Sequence, residues 1–595
     1  MRELSVNEIA ILEEQGCRAE DWTEILVDED FATSSITNVT FYGHIEIGSL
    51  NGSIEVEDGF RRRCCLRNAT LRNVTIGEEC LIENISGYIS GYKIGNHCYI
   101  SDCGIIAAQN GTTCGAGETI SVLNENGEGN IVLYPGLTSQ VAWLMVNYPE
   151  VRELAQRSIS DQDQQPTIFG NSRIVGTKEI VNTMIGESAE LCGASRLYEC
   201  TIESSEEVST YIGSDVIMEK TIAAPGATIT DGAKLFDTYV GEQTHIGKGF
   251  SSQSSAFFAN SHMDNGEACA AFCGPFSASH HKSTLLIGGA FSFYNAGSGT
   301  NQSNHAYKMG PIHWGSLARG SKTASGCHIL WPATIGAYTM AMGKIQTHPN
   351  TRKLPFSYLI GEGTKTYLIP GINLRTVGTW RDNLKWQKRD LRPASQRRDN
   401  INTTFPNPYI IQNVLEGKQL LQELQTKYGT DAAEYKYNGC TIKHDALQRG
   451  IQYYELAIRL YLYEHFRTSA ATYDTTYPDE PHPHTWLDLC GMLAPKADID
   501  RIVQDIRTGS ITTMQELESI LHTLHNDYKT NSQAYAHYLM KREANNPLVD
   551  EDHWLREAEQ AYTKWLSYIK ADAEKEFSMG DVEEKQLLEF IEKLK

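Results

Sequence analysis

Residues 76–98 read IGEECLIENISGYISGYKIGNHC, and the motif that begins this stretch returns at its end. Ile76-Gly77-Glu78-Glu79-Cys80 is matched 18 residues later by Ile94-Gly95-Asn96-His97-Cys98. Repetition at a fixed period is typical of solenoids, in which each repeat buries its apolar face only against its neighbours. The stretch therefore predicts a chain that winds into stacked coils of 18 residues.

The repeat continues through the middle of the chain. The pattern Thr-x-(Ile/Val)-Gly recurs at residues 183–186, 210–213 and 238–241. Six-residue windows that begin at positions 239, 257, 275, 293, 311 and 329 align at steps of 18. Their second positions are Val240, Phe258, Phe276, Tyr294, Ile312 and Leu330. We expect these apolar side chains to form one internal stack, in coils of three short strands about 4.7–4.8 Å apart.

The cysteines fit the interior of such a coil. Cys80 and Cys98 occupy equivalent positions of the repeat, and free cysteine is among the most frequently buried residues. The 14 cysteines include no CxxC pair, which argues against a zinc ribbon. We expect reduced, structural thiols in a cytoplasmic protein.

The hexads resemble the hexapeptide-repeat family, the left-handed parallel β-helix of acyltransferases and of the C-terminal domains of sugar nucleotidyltransferases. The resemblance covers roughly residues 36–350. Residues 4–22 (LSVNEIAILEEQGCRAEDW) and 36–48 (ITNVTFYGHIEIG) are also similar to a bacterial family of β-helical proteins of unknown function. The resemblance implies an all-β solenoid with 18 residues per coil. It also implies a homo-oligomer, a trimer or a dimer.

Sequence patterns divide the chain into four parts. After Pro406 the apolar period changes to about 3.6 residues, as in the stripe Leu447, Ile451, Tyr454, Ile458 and Leu462. The solenoid is therefore followed by an α-helical domain. The predicted parts are an N-terminal helical cap (1–35), a β-helix (36–380) with a helical insertion (137–158) and a β-hairpin (354–378), a basic linker (381–404) and an α-helical domain (405–595).

Composition excludes several classes of function. The formal net charge of -22 argues against nucleic acid as a partner, so an anionic ligand would need a local cluster of positive charge. No run of 18 apolar residues is present, which argues against a membrane-spanning helix. The charged N-terminus, MRELSVNEIAILEEQG, lacks the apolar core of a signal peptide. We therefore expect a cytoplasmic protein.

Residues 380–398 are both aromatic and basic, and two interpretations remain open. The segment could bind phosphate, or it could be a helix that docks on the solenoid and turns its charged side chains to solvent. The residues concerned are Trp380, Arg381, Lys385, Trp386, Lys388, Arg389 and Arg392.

Histidine is concentrated in one part of the predicted solenoid, since seven of the 18 histidines fall between residues 262 and 348. In hexapeptide acyltransferases an outward-facing histidine acts as general base on the acceptor hydroxyl or amine, a role that suits neutral imidazole. The resemblance therefore implies His305 or His313 as the catalytic base. The predicted substrate-binding residues are Asn295, Asn301, Asn304, Lys308 and Trp314.

Other interpretations of these polar residues remain open. His262 and His280 fall in one column of the alignment and are interpreted as hydrogen-bonded structural groups. Asparagine and histidine ladders could also do no more than bond one coil to the next. The β-helical carbonic anhydrases bind zinc through three histidines, but the spacing of His305 and His313 departs from that pattern. We therefore expect no metal.

The function implied by the resemblance is that of a transferase acting on a carbohydrate or nucleotide-sugar intermediate. The most concrete reaction is acyl transfer with a histidine general base and acyl-CoA as donor. A non-catalytic scaffold or regulatory protein that binds a sugar nucleotide is the main alternative, and a zinc hydratase is the second. No usual nucleotidyltransferase domain is indicated, because a P-loop spacing is missing from Gly361-Glu362-Gly363-Thr364-Lys365-Thr366.

Overall fold

The computed structural model describes residues 1–109, 111–160, 165–304, 310–467, 485–544, 551–580 and 584–592. Short parallel strands stack into a β-solenoid, and helices follow it. The fold class predicted from the sequence is therefore confirmed. Within the described residues, no helix has the length and apolar character needed to cross a membrane.

Two consecutive series of strands build the solenoid and its two ends. At the ends, Arg2–Glu3 is antiparallel to Ile25–Val27, and Tyr358–Glu362 forms an antiparallel hairpin with Lys365–Ile369. The first series comprises Arg2–Glu3, Arg18–Ala19, Ile25–Val27, Ile36–Ile47, Cys65–Ile76, Leu81–Glu83, Ile89–Ser90, Lys93–Ile94, Tyr99–Ser101 and Ile105–Ala107. The second comprises Thr167–Ile168, Arg173–Val175, Glu179–Val181, Met184–Ile185, Glu190–Cys192, Arg196–Tyr198, Thr201–Ile202, Tyr211–Ile212, Ile217–Glu219, Ile222–Ala223, Thr228–Ile229, Lys234–Val240, His245–Gly247, Ser251–Phe257, His262–Asp264, Gly266–Cys273, Ala278–Ser279, Thr284–Phe291, Asn295–Ala296, Asn301–Ser303, Gly315–Leu317, Lys322–Thr323, His328–Leu330, Thr334–Ile335, Met340–Ile345, Tyr358–Glu362 and Lys365–Ile369.

Some hairpins and helices are inserted between the solenoid strands, and others follow the solenoid in the chain. The remaining strands pair as Ser53–Glu57 with Phe60–Arg63, Thr119–Asn124 with Glu128–Val132, Glu434–Tyr437 with Cys440–Lys443, and Trp486–Leu489 with Met492–Pro495. The α-helices are Val6–Glu14, Ser139–Asn147, Pro149–Ser160, Val377–Arg389, Pro408–Tyr428, His444–Phe466, Lys496–Thr508, Met514–Asn526, Tyr528–Ala544, Glu551–Ser578 and Glu584–Glu592. Short 3-10 helices span Trp22–Glu24, Thr33–Ser35, Ile372–Arg375 and Ala394–Gln396.

The solenoid interior is built from aliphatic residues that lie directly above one another. One column consists of Ile76, Ile94, Ile168, Ile185 and Ile202, each at most 1% exposed. Burial of one such side chain contributes about 1.5–3 kcal/mol, and each coil depends on its neighbours for that burial. Cys80 and Cys98 are free thiols and fully buried, as the repeat predicts.

The register of the central coils differs from the alignment at steps of 18. That step holds between Ile76 and Ile94 and between Cys273 and Phe291. It shortens to 17 and then 16 residues in the two coils that follow Val240, and it lengthens to 26 after Phe291. The observed internal column is Val240, Phe257, Cys273, Phe291, Leu317 and Ile335.

The predicted stack of Phe258, Phe276, Tyr294 and Ile312 is therefore wrong. Phe258 lies outside the coil, between the rings of Tyr239 and Phe272 at 5.6 and 5.1 Å. Ile312 is 37% exposed. The reason is that corners of a coil tolerate one or two residues more or fewer, and each change shifts every later position relative to a constant step.

The helix Val377–Arg389 lies across one face of the solenoid. Its Trp386 ring meets Phe293 edge to face, 4.7 Å away, and its Asn383 accepts a hydrogen bond of 2.6 Å from the Tyr338 hydroxyl. Where the helix ends, Asn260 of the solenoid bonds to Asp390 and to the backbone of Leu391. We call this element the covering helix.

Residues 390–402 return along the solenoid as an extended strap. The Arg392 side chain is 3% exposed and bonds to Glu242 of the solenoid at 3.1 Å and to Asp390 at 2.9 Å. The Asp399 carboxylate accepts hydrogen bonds from the backbone of Ser139 and Ala259. The strap therefore holds the inserted helices, the solenoid and the covering helix in one arrangement.

Candidate functional site

A cavity of about 400 Å³ lies between the covering helix and the solenoid face beneath it. Its wall on the solenoid side is formed by outward-facing residues of consecutive coils. The Cα register joins His245 to His262, then to Ala278, Asn295 and Lys322. Alternation along each strand points these side chains away from the core. The cavity therefore gathers one residue from each of several coils that are distant in sequence.

Three histidines form a ladder along this wall. The ring centroids of His245 and His262 are 4.4 Å apart, and those of His262 and His280 are 4.5 Å apart. The strand partner of His262 is Ala278, so His280 reaches the ladder from the end of the next strand. The expected proximity of His262 and His280 is present, although the two do not share a column.

Asp264 lies behind the ladder and is almost fully buried, with 3% of its side chain exposed. One carboxylate oxygen, Oδ2, is 3.2 Å from Nε2 of His262 and 2.6 Å from Nζ of Lys248. The other, Oδ1, is 3.3 Å from Nε2 of His245 but takes part in no hydrogen bond. Burial raises the pKa of Asp264, but the bonds to Lys248 and His262 outweigh it and leave that pKa below its ordinary value. The carboxylate is therefore charged.

Two histidines of the ladder, His262 and His280, have pKa values below the ordinary value of histidine. Burial lowers the pKa of His262, and the neighbouring His245 lowers it further. Burial also lowers the pKa of His280, with His262 as the next cause. Neutral imidazole offers one nitrogen lone pair, so each ring can accept a proton or bind a metal ion.

The opposite wall carries positive charge. The covering helix contributes Lys385, Lys388 and Arg389 to the cavity, and the solenoid contributes Lys322. Asp382 is buried and forms ion pairs with Lys322 and with Lys385, the latter at 2.7 Å. Burial lowers the pKa of Lys385 despite this bond. Lys388 and Arg389 are exposed at the mouth, where they give the cavity excess positive charge.

The residues predicted as a substrate site are spread over several places. Asn295 lines the cavity. Asn301 pairs with His328 in the strand ladder. Asn304 is buried, and its amide donates to Glu125 in the hairpin that begins at Thr119.

Of the two predicted catalytic residues, His313 lies in the described part of the chain and does not line the cavity. His313 is half-buried, and its backbone N–H donates to the carbonyl of Asn304 at 3.4 Å. Trp314 is 38% exposed. His305 and Lys308 lie outside the described residues. Among the described candidates, only Asn295 therefore contributes to the cavity.

Sequence reasoning missed His245 and Lys322 and assigned His262 and His280 to structure. His245 precedes His262 by 17 residues, so an alignment that allowed coils of 16 to 18 residues would have paired them. The basic segment at 380–398 was recognised; of its two interpretations, docking on the solenoid is observed, and phosphate binding stays a prediction. The segment docks on the solenoid through Trp386, and its cations line a cavity.

Comparisons with known proteins give two family models and one distant relative. Residues 1–425 match the family model described as a domain of unknown function, DUF4954, and residues 476–582 match the model described as a domain of unknown function, DUF6819. A protein of Treponema pallidum (strain Nichols), described as an uncharacterized protein, is 23% identical over 605 residues. That alignment covers 91% of this chain and 82% of the Treponema protein. The first match covers more than half of the chain and spans the solenoid, the covering helix and the strap, so the chain belongs to the DUF4954 family.

Proposed function

We propose that this protein binds a phosphate-bearing carbohydrate, such as a nucleotide sugar or a sugar phosphate, in the cavity under the covering helix. The observation that carries the proposal is the charge of the cavity. Four cationic side chains and one carboxylate line it, on a chain whose formal net charge is -22. Excess positive charge in a concave site attracts anions from solution and compensates for the loss of their hydration.

The shape and the remaining side chains support the same class of ligand. A volume of about 400 Å³ is within the usual range of small-molecule sites. Lys388 and Arg389 offer donors suited to phosphate oxygens at the mouth. Asn295 and the histidine ladder offer hydrogen-bonding groups deeper in the cavity, which suit sugar hydroxyls.

We further propose acyl transfer as the reaction, with acyl-CoA as donor. His280, the exposed histidine of the ladder, would take the proton from a sugar hydroxyl as its oxygen attacks the thioester carbonyl. Collapse of the tetrahedral intermediate breaks the carbon–sulfur bond, and the departing thiolate takes up the proton. Support comes from the position of His280 beside the cationic wall and from the resemblance of the repeat to hexapeptide acyltransferases. The alternative is a binding protein without turnover.

The binding proposal is tested by calorimetric titration with UDP-glucose, glucose 1-phosphate and glucose. The two phosphorylated compounds should bind and glucose should not. Lys388→Ala and Arg389→Ala should each weaken binding about tenfold or more, because one charge-assisted hydrogen bond contributes about 1.5–3 kcal/mol. Arg381→Ala is the matched control, since Arg381 is exposed on the same helix and does not line the cavity. The proposal would be refuted if Lys388→Ala, Arg389→Ala and Arg381→Ala weakened binding equally, or if glucose bound as tightly as the phosphorylated compounds.

Turnover is tested separately by consumption of acetyl-CoA in the presence of each compound that binds. Transfer should be lost in His280→Ala and retained in His313→Ala, while His280→Ala still binds the phosphorylated compound. Binding without consumption of the thioester by the parent protein would favour the non-catalytic alternative. Loss of acyl transfer in His313→Ala but not in His280→Ala would indicate that the reaction takes place at the site predicted around His313.

A further inference from the structure

We infer that His245, His262 and Asp264 form a binding site for a divalent transition-metal ion of the zinc class. The nitrogen and oxygen atoms that these residues offer all lie within 4.8 Å of one another. Two imidazoles and one carboxylate are a common ligand set for such ions in proteins. The inference concerns a cation and does not depend on the proposed sugar ligand. It departs from the expectation, drawn from the sequence, that no metal is needed.

Two of the separations between donors match those of a metal polyhedron, and in them each oxygen of Asp264 faces one imidazole. Tetrahedral zinc with bonds of about 2.0–2.1 Å separates its ligand atoms by about 3.3 Å. The distances from Asp264 oxygens to Nε2 of His245 and to Nε2 of His262 are 3.3 and 3.2 Å. Three protein ligands leave a fourth position open, which is the arrangement of catalytic rather than structural zinc sites.

An unpartnered oxygen points to a missing ligand. The Asp264 side chain is 3% exposed, and its Oδ1 accepts no hydrogen bond although His245 Nε2 is near. A buried carboxylate oxygen without a partner costs about 1–3 kcal/mol or more. A cation shared with the two imidazoles would remove that cost.

The backbone leaves room for an ion at this point. Gly247 is the strand partner of Asp264 and has no side chain to fill the space beside it. A Cβ atom at residue 247 would lie 3.0 Å from Nε2 of His245 and 3.4 Å from Oδ1 of Asp264. The backbone of Gly247 does not have the positive φ that would require glycine. The glycine is therefore explained by the space beside the donor atoms that a side chain would occupy.

Lys248 competes with the ion. Its ammonium is 2.6 Å from Oδ2 of Asp264, and its side chain is 59% exposed. Since the ammonium can move into water at little cost, a bound metal would displace it. Removal of this lysine should therefore strengthen metal binding, whereas a purely structural role for the cluster predicts no such gain.

The test is titration of untagged, chelator-treated protein with Zn²⁺ alone, with Co²⁺ as a spectroscopic probe. The parent protein should bind one equivalent and show the visible absorption of Co²⁺ with nitrogen and oxygen ligands. Asp264→Asn should weaken binding about 100-fold or more, because loss of even an outer partner of a metal ligand costs about 10–100-fold. Gly247→Ala should weaken it while retaining every donor.

Two further variants complete the design. Lys248→Met should bind Zn²⁺ more tightly, and His281→Gln, which changes an exposed histidine outside the ligand set and outside the cavity, should bind as the parent does. Circular dichroism and the melting temperature of each metal-free variant show that it is folded. The inference is overturned if the parent protein does not bind Zn²⁺ stoichiometrically. It is also overturned if binding is unchanged in both Asp264→Asn and Gly247→Ala, or if binding is weaker in Lys248→Met.

Discussion

Arg319 links the solenoid to the C-terminal region, and its replacement gives a sharp test of what holds the two together. Its side chain is 1% exposed. The guanidinium bonds to both oxygens of Asp488, at 2.9 and 3.1 Å, and to the carbonyls of Gly491 and Asn402. It also lies 4.4 Å from the centre of the Phe293 ring. One residue of a coil thus fixes the hairpin Trp486–Leu489/Met492–Pro495 and the end of the strap.

The expected cost of Arg319→Met follows from what the substitution leaves behind. The Asp488 side chain is 9% exposed, so its carboxylate would remain buried without a counter-charge. Loss of one partner of a buried ion pair typically costs about 3–5 kcal/mol, even where replacement of both partners costs little. Arg319→Met should therefore destabilise the attachment of the hairpin by about 3–5 kcal/mol, and Arg319→Met/Asp488→Asn should do so less.

Hydrogen exchange measured by mass spectrometry is the suitable assay, because it reports local opening and needs no global two-state transition. Peptides covering Trp486–Pro495 should exchange at least about 100-fold faster in Arg319→Met, since 1.4 kcal/mol corresponds to tenfold. Arg507→Met is the matched control. Arg507 also joins two distant segments, through Glu150 at 2.7 Å, but 51% of its side chain is exposed, so the change should be below about 1 kcal/mol.

Two results would refute this reasoning. One is an increase of less than tenfold in the exchange of the hairpin in Arg319→Met. The other is a double variant, Arg319→Met/Asp488→Asn, that exchanges as fast as the single variant. The second result would show that the uncompensated charge of Asp488 is not the source of the cost.

Two further predictions concern titration and packing. Burial and the neighbouring His522 and Arg392 lower the pKa of His525 to about 4, so between about pH 6.5 and 4 the unfolded chain binds a proton that the folded protein excludes. Because of this residue, the free energy of unfolding should fall on acidification by up to about 1.4 kcal/mol per pH unit. Melting curves of His525→Gln, measured over the same pH range, should show a smaller dependence on pH, and the same dependence as in the parent protein would contradict the prediction. Gly315→Ala would place a methyl group against the buried Trp331 ring, so the melting temperature should fall by an amount equivalent to about 1–3 kcal/mol. Gly378→Ala is the control, because Gly378 has no positive φ and its Cβ would have only Thr376 Oγ1 nearby, at 4.0 Å, so the melting temperature should not fall.

The sequence predicted the inward residues of the regular coils, but not those between Phe258 and Ile312, where the length of the coil changes. Ile76 and Ile94, with the glycines that follow them, indicate the coil because only aliphatic side chains fill its interior and each must lie above its counterpart. The change of period after Pro406 likewise indicates the helices that follow. These features depend on burial at each position, so local patterns of residue type indicate them.

The contacts among outward-facing side chains could not be predicted in the same way. In the alignment at steps of 18, Asn295 and His313 are the third residues of the successive windows that begin at 293 and 311, whereas the strand partner of Asn295 is Lys322. Coils of 16, 17 and 26 residues cause the difference, because an inserted or deleted corner residue leaves the interior intact while it changes which outward residues meet.

The amino-acid sequence by itself therefore determined the solenoid, the interior of its regular coils and the helices after it. Only the tertiary structure decided that His245, His262 and Asp264 face one another, and that the cations of the covering helix lie opposite the ladder. The physical reason is that inward positions are selected by burial alone. The cavity depends on the exact length of each coil and on the docking of Trp386, more than a hundred residues along the chain from the ladder.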